Sequence, residues 1–276
     1  MISGKKFNAL PGLRLTLGFT LFYLSVIVLI PMIALFFKAA ELSWPEFWRV
    51  ATTERAMAAY QLTFGASFAA ALINAFFGTI LAWVLVRYHF PGKRMIDALV
   101  DFPFALPTAV AGLTLANLFA PQGWLGRFLV PLGIEGAFSR LGVVLALTFV
   151  GMPFAVRTLQ PVLEHLDRGV EEAAATLGAG RFRTFVKVIG PTILPTIITG
   201  IALSFARAVG EYGSIVFISG NRIFKTEIAP FIIVMRLDQH DYLGAVAVAA
   251  VLLVISFVIL GVINYLEVWS RRFHST

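Results

Sequence analysis

The chain has 276 residues, 59% of them hydrophobic and 13% charged. A soluble domain carries about 25% charged residues, so this composition excludes a water-facing globular surface and places the chain in a bilayer. Cysteine is absent, which excludes disulfides, thiolate nucleophiles and Cys-ligated metals. The formal charge of +7 follows membrane topology, because the basic residues gather in short segments between apolar runs. No basic-aromatic platform for nucleic acid accompanies them.

A transmembrane helix needs about 20 mostly apolar residues, and an open sheet would leave backbone groups unpaired in lipid. Six stretches qualify as spans: 15–37, 62–86, 102–120, 141–156, 192–218 and 243–266. The expected fold is an all-α polytopic membrane protein of six helices. Residues 1–14 are expected to be a cytoplasmic N-terminus and 15–276 a single transmembrane domain. The first run, 23 residues without a charge behind Lys5, Lys6 and Arg14, exceeds a signal-peptide core of about 7–15 residues. It is expected to remain as an uncleaved first span.

In the second span Ala66, Ala70 and Gly78 recur at four-residue steps with Asn74 between them. That gives the helix a small face against which a neighbour can pack closely. The third begins with Pro103 and Pro107, each removing a backbone donor and freeing a carbonyl. Broken helices in membranes line cavities or lie buried in protein, so Pro107 and Thr108 are candidates for a pathway wall, while Pro103 fits a simple helix start. The fourth span is short and contains Pro153. Lys and Arg are more numerous on the side that holds both termini, which predicts N-in, C-in topology. Trp44, Trp48 and Trp124 fall on the opposite side, where indole rings suit an interface.

The connection 158–191 has its own periodicity. Val170, Ala173, Ala174 and Leu177 follow the i, i+3, i+4, i+7 spacing of one helical stripe. Asp167 can cap its start, and Glu171 and Glu172 suit its first turn. Gly178 permits a sharp break. Phe182, Phe185, Val186 and Ile189 then repeat the spacing, with Arg181, Arg183 and Lys187 opposite, and Pro191 is expected to close the unit. Such a hairpin suits a groove in a partner protein. It equally suits folding back on its own bundle, or resting its basic side on lipid headgroups.

Arg207 and Glu211, four apart on the fifth span, share a helix face. A charge deep in a bilayer costs at least ~2.5–3.5 kcal/mol and usually faces a cavity or a partner. Either Arg207 attracts an anion while Glu211 limits trapping, or the two simply neutralise each other. Gly210 and Gly213 bracket the pair and predict a bend. No phosphate loop is present, since Gly92-Lys93 lacks its upstream glycine and following hydroxyl. The histidines His89, His165, His240 and His274 fit no metal spacing, so neither cofactor nor metal is expected.

The run Glu172-Ala173-Ala174, three residues, Gly178, then Val188, Gly190 and Pro191 resembles the EAA loop of binding-protein-dependent ABC importer permeases. The segments from Asp101 to Leu113 and from Leu203 to Asn221, together with Lys225-Thr226-Glu227 and the residues from Arg236 to Tyr242, are similar to sulfate/thiosulfate permeases of the T type. The fifth-span segment is shared with molybdate permeases. The resemblance implies a type I importer bundle in the cytoplasmic membrane and a non-catalytic subunit. Its loop (Glu171, Glu172, Ala173, Ala174, Leu177, Gly178) would dock on a separate ATPase. Its pathway would involve Pro107, Thr108, Arg207, Gly210, Glu211 and Gly213. Implied partners are a second, related permease, two copies of an ABC ATPase and an external sulfate- or thiosulfate-binding protein. A molybdate or tungstate importer, an ion-coupled secondary anion transporter and a non-transporting scaffold are the competing classes.

Overall fold

A computed structural model describes residues 13–272, and within them the regular structure is entirely helical. Expectations resting on Lys5, Lys6 and the rest of residues 1–12 lie outside the described residues. Helix α1 (13–39) consists of Leu13–Leu24, a π turn Ser25–Leu29 and Ile30–Ala39. Short α2 (Trp44–Ala51) leads to α3 (Glu54–Arg87), then α4 (Lys93–Val100), α5 (Phe102–Ala105) and α6 (Thr108–Phe119). After α7 (Gly126–Leu129) come α8 (Arg140–His165), α9 (Arg168–Thr176), α10 (Arg181–Val209), α11 (Gly213–Ile218), α12 (Ala229–Asp238) and α13 (Tyr242–Arg272).

Five helices among the described residues are long and apolar enough to cross a membrane: those over 15–39, α3, α8, α10 and 242–268. The sixth expected span, 102–120, is broken. Its main piece α6 has 12 residues, about 18 Å at 1.5 Å per residue, which is short of a bilayer core. The break falls where Pro107 sits between α5 and α6, with Leu106 extended (φ −90°, ψ 135°). That conformation is the one forced on a residue preceding proline.

Other helices outrun their predicted bounds. α3 starts at Glu54 instead of 62, because the Thr53 hydroxyl accepts from the Ala56 amide and caps it. α8 runs to His165, past the predicted end at 156, despite Pro153 and Pro161 inside it. The start of the polar connection at 158 is therefore still helix.

The core is a three-helix stack of α3, α8 and α10. Leu85, Val156, Leu159, Leu163 and Ile193 fill one end, and Ala66, Ala70, Val143, Leu147, Ala208 and Ile215 the middle. The small face anticipated on α3 is real, since Ala66, Ala70, Asn74 and Gly78 are all buried. A Cβ on Gly78 would lie 2.9 Å from that of Ala155. At the centre Asn74 Nδ2 donates to Ser204 Oγ over 3.0 Å, beside Gly151. A buried amide that reaches its partner fixes helix register as well as adding stability.

α12 and α13 pack on the start of α3 through Ala56, Tyr60, Ile232 and Val248, and α1 lies outermost, against α13. There Arg55 grips buried Glu227 through one guanidinium edge, Nε and Nη2 donating at 2.8 and 2.5 Å. At the other end Arg157 of α8 holds Asp101 and Asp97, each at 2.6 Å, and so locks α4 to the bundle. Hydrogen bonding from Gln160, then Arg157, holds the Asp97 carboxyl below its ordinary value of 3.8 against the opposing effect of burial. This part of the lock is therefore intact at neutral pH and weakens only as pH falls through that lowered value.

Helices α6 and α11 meet closely. A Cβ on Gly112 would lie 2.1 Å from the Ser214 carbonyl oxygen, a backbone atom that cannot rotate away. Gly112→Ala should therefore destabilise the protein by about 1–3 kcal/mol. Gly65→Ala, at an exposed position of α3 where nothing lies within 4 Å, should stabilise the helix by about 0.5–1 kcal/mol. Thermal unfolding of the two variants in the same detergent checks the opposite signs.

Candidate functional site

The hairpin is built from local rules. Asp167 Oδ1 accepts from the Gly169 amide at 2.8 Å and starts α9. The end of α9 is a Schellman arrangement. The Ala179 amide donates to Ala174 O and the Gly178 amide to Ala175 O, both at 3.0 Å, with Gly178 at φ +79°. A Cβ at Gly178 would meet nothing within 4 Å, so glycine serves the left-handed backbone alone.

Beyond this elbow the chain does not stop at Pro191 as expected. Arg181–Thr184, a π turn Phe185–Ile189 and Gly190–Val209 form one continuous helix. Proline cannot donate to the ladder. The chain accommodates it by widening the preceding turn, in which the Gly190 amide reaches Phe185 O, five residues back. Small Gly190 allows this, since a Cβ there would sit 3.0 Å from that oxygen.

The hairpin has two faces. Outward stand Val170, Ala173, Leu177 and Phe182, the last two 88% and 82% exposed. Inward, Glu171 lies 2.7 Å from Arg87 at the end of α3, and Arg87 also rests over the Trp83 ring, 5.4 Å from its centroid. Phe185 meets the same indole edge-on at 5.7 Å. Glu172 is exposed and Ala174 half-buried. The expected stripe thus points mostly to solvent, while the ion pair tying the hairpin to α3 is a feature the spacing did not show. Arg87 lies one residue past the predicted span 62–86, and nothing in the sequence tied it to Glu171.

The pathway candidates converge on the far end of α10. Arg207 Nη1 donates to Glu211 Oε2 at 2.6 Å. Glu211 Oε1 accepts from the Ser214 amide and hydroxyl, at 2.9 and 3.0 Å. Glu211 is 3% exposed, whereas the Arg207 side chain is 33% exposed. The predicted bend is present: α10 ends at Val209, Gly210 and Tyr212 are non-helical, and Gly213 begins α11. A Cβ on Gly213 would lie 2.2 Å from Thr108 Oγ1, so Thr108, Gly213 and Glu211 sit around one junction. Pro107 precedes it and is exposed.

Chemically, both oxygens of Glu211 are satisfied and its charge is neutralised by Arg207. A guanidinium has five N–H donors, so Arg207 retains capacity on its open side. That makes a junction of low net charge with guanidinium donors left on its open side.

The comparisons with known proteins agree with this architecture. A family described as "Binding-protein-dependent transport system inner membrane component" matches residues 74–272. The chain is 53% identical to the "Sulfate transport system permease protein CysT" of Synechocystis sp., over 92% of this chain and 89% of that protein. It is 46% identical to the protein of that name from Salmonella typhimurium, over 97% and 96%. Among solved structures, a bacterial ABC transporter involved in import of the acidic polysaccharide alginate superposes with a TM-score of 0.73. It is 18% identical and covers 94% of this chain and 95% of that one. An inward-facing MetNI methionine ABC transporter gives a TM-score of 0.53 at 17% identity, over 84% and 99%. The structures establish the shared fold, and the family match, spanning most of the chain at the hairpin, core and α10–α11 junction alike, shows that this chain belongs to the binding-protein-dependent transport system inner membrane components.

Proposed function

We propose that this chain is one permease subunit of an ATP-driven importer carrying sulfate or thiosulfate across the cytoplasmic membrane. It works beside a second, related permease, two copies of an ABC ATPase and an external binding protein. The relatives named as sulfate transport permeases support the substrate. The observation that carries the mechanism is the unbroken α10. One end forms the elbow beside exposed Leu177 and Phe182, and the other presents Arg207 and Glu211.

In this reading the hairpin lies in the cytoplasm and its outward apolar face sits in a cleft of the ATPase. Closure of the ATPases moves α9 and the elbow, and α10 carries that displacement to the α10–α11 junction as a rod. The bundles rock between two states whose balance the nucleotide shifts. The oxyanion passes Arg207, whose attraction is tempered by Glu211. A lone buried arginine would bind a divalent anion too tightly, and passage requires weak sites. The pair thus serves neutralisation and contact together. An ion-coupled carrier would leave the exposed apolar elbow without a role.

Two variants test the proposal in vesicles holding the assembled importer. Gly178→Val strains the left-handed elbow by about 1–2 kcal/mol without a packing clash. ATP hydrolysis should persist while labelled sulfate uptake falls, and normal uptake would remove the hairpin from coupling. Arg207→Gln should slow import at least about tenfold, equivalent to about 1.4 kcal/mol, with the ATPase intact. Unchanged uptake would leave the pair a neutralising role alone, and stronger competition by molybdate than by thiosulfate would reassign the substrate.

A further inference from the structure

Between the inward face of the hairpin and the end of α3 lies a cavity of about 720 Å³. This is the size of a small-molecule site. It is separate from the α10–α11 junction, and it opens behind the hairpin, away from Leu177 and Phe182. Its lining carries two cations, Arg87 and Arg181, and two carboxylates, Glu171 and Glu172. The formal charges cancel: Arg87 and Glu171 are ion-paired, while Glu172 and Arg181 are exposed.

The Arg87 side chain is 10% exposed, and its Nε finds no hydrogen-bond partner among the described residues. Glu171 Oε1 is also unpartnered in that sense. It lies 2.7 Å from Arg87 Nη2, close enough for charge attraction but misaligned for a hydrogen bond. Both atoms are closed to solvent, so the polar surface offered to the cavity is the remainder of these two side chains with Arg181 and Glu172.

The approach to the cavity is apolar. Phe76, Ile80 and Trp83 follow one another on α3 at helical spacing and lead to Arg87. Phe76 is 63% and Ile80 47% exposed. On the facing helix Phe185 continues the same wall. An acyl chain lying along this track would bring its headgroup to the cavity.

We propose that the cavity binds the headgroup of a membrane aminophospholipid, a phosphodiester with a primary ammonium two carbons away. The phosphate takes Arg181 together with the part of the Arg87 guanidinium that faces the cavity. The ammonium takes Glu171 and Glu172. Net-neutral lining disfavours a purely anionic headgroup, and a trimethylated one has no N–H to give the carboxylates. The bound lipid would then bridge α3 and the hairpin where Arg87 and Glu171 already meet. This inference requires only that the chain sits in a bilayer, so it stands or falls independently of the transported ion.

The test places the full-length chain in nanodiscs of phosphatidylcholine alone or with phosphatidylethanolamine or phosphatidylglycerol added. The thermal unfolding midpoint and the lipid retained in native mass spectrometry are then read. Phosphatidylethanolamine should raise the midpoint by a few degrees over the other compositions and be retained as a bound lipid. Arg87→Gln should lose both effects. Arg181→Gln, at an exposed position that tolerates the change, should weaken them in a folded protein. Equal midpoints in all three compositions, or full retention by Arg181→Gln and Arg87→Gln, would overturn the proposal. An equal effect of phosphatidylglycerol would overturn the ammonium contact. The same shift from free phosphoethanolamine in phosphatidylcholine would overturn the lipid source.

Discussion

A helix can pass force only while its course is unbroken, and α10 stays helical through Pro191 and Pro195 although neither proline can donate to the ladder. The π turn Phe185–Ile189 makes this so. It gives the Gly190 amide a carbonyl five residues back and leaves the proline ring room. The resulting 29-residue helix is about 44 Å long. It is flanked by α3, α8 and α13 along its length, so it moves as part of a packed body. The coupling proposed between the elbow at Gly178 and the pair at Arg207 uses that rod.

Charge placement follows one pattern throughout. Arg55 with Glu227, Arg157 with Asp97 and Asp101, Arg87 with Glu171, and Arg207 with Glu211 each join a cation to a carboxylate. Three of them connect segments far apart in the chain and hold its ends together where apolar packing thins towards the water. The fourth is local, four residues apart, and lies at the helix break. Like Arg55 with Glu227, it has one member buried and the other open, an arrangement that neutralises a charge and still leaves donors facing outward. Breaking any such pair by removing one partner leaves a charge without compensation, the costly case for a buried group.

The local parts of this design were legible in the sequence. Asp167 and Gly178 announced the two ends of α9 through capping chemistry, Gly210 and Gly213 announced the bend, and Ala66, Ala70 and Gly78 announced the packed face of α3. Hydropathy located the spans but misjudged their ends. Thr53-Glu54 is a helix start written in capping residues, not apolar ones, and α8 continues through two prolines because its neighbours hold it. The long-range pairs could not be read, since nothing local in Arg87 points to Glu171, or in Arg55 to Glu227. Nor could the approach of Gly112 to Ser214, because a glycine that makes room for another backbone looks the same as one that makes a turn. Pro191 misled for a related reason: its usual effect was cancelled by a π turn that leaves no signature in composition.

The claim most open to direct attack is that α10 moves as a single body. Spin labels at Phe182 and Leu203, both on exposed faces of α10, lie about 32 Å apart along the helix at 1.5 Å per residue. Their separation should be measured in the assembled importer with and without ATP, against a third label on α1. The account predicts a constant distance between the first two while the distance to α1 changes. A shift of several ångströms between Phe182 and Leu203 on ATP binding would mean the helix hinges, and the rod would not be the path by which the hairpin drives the pore.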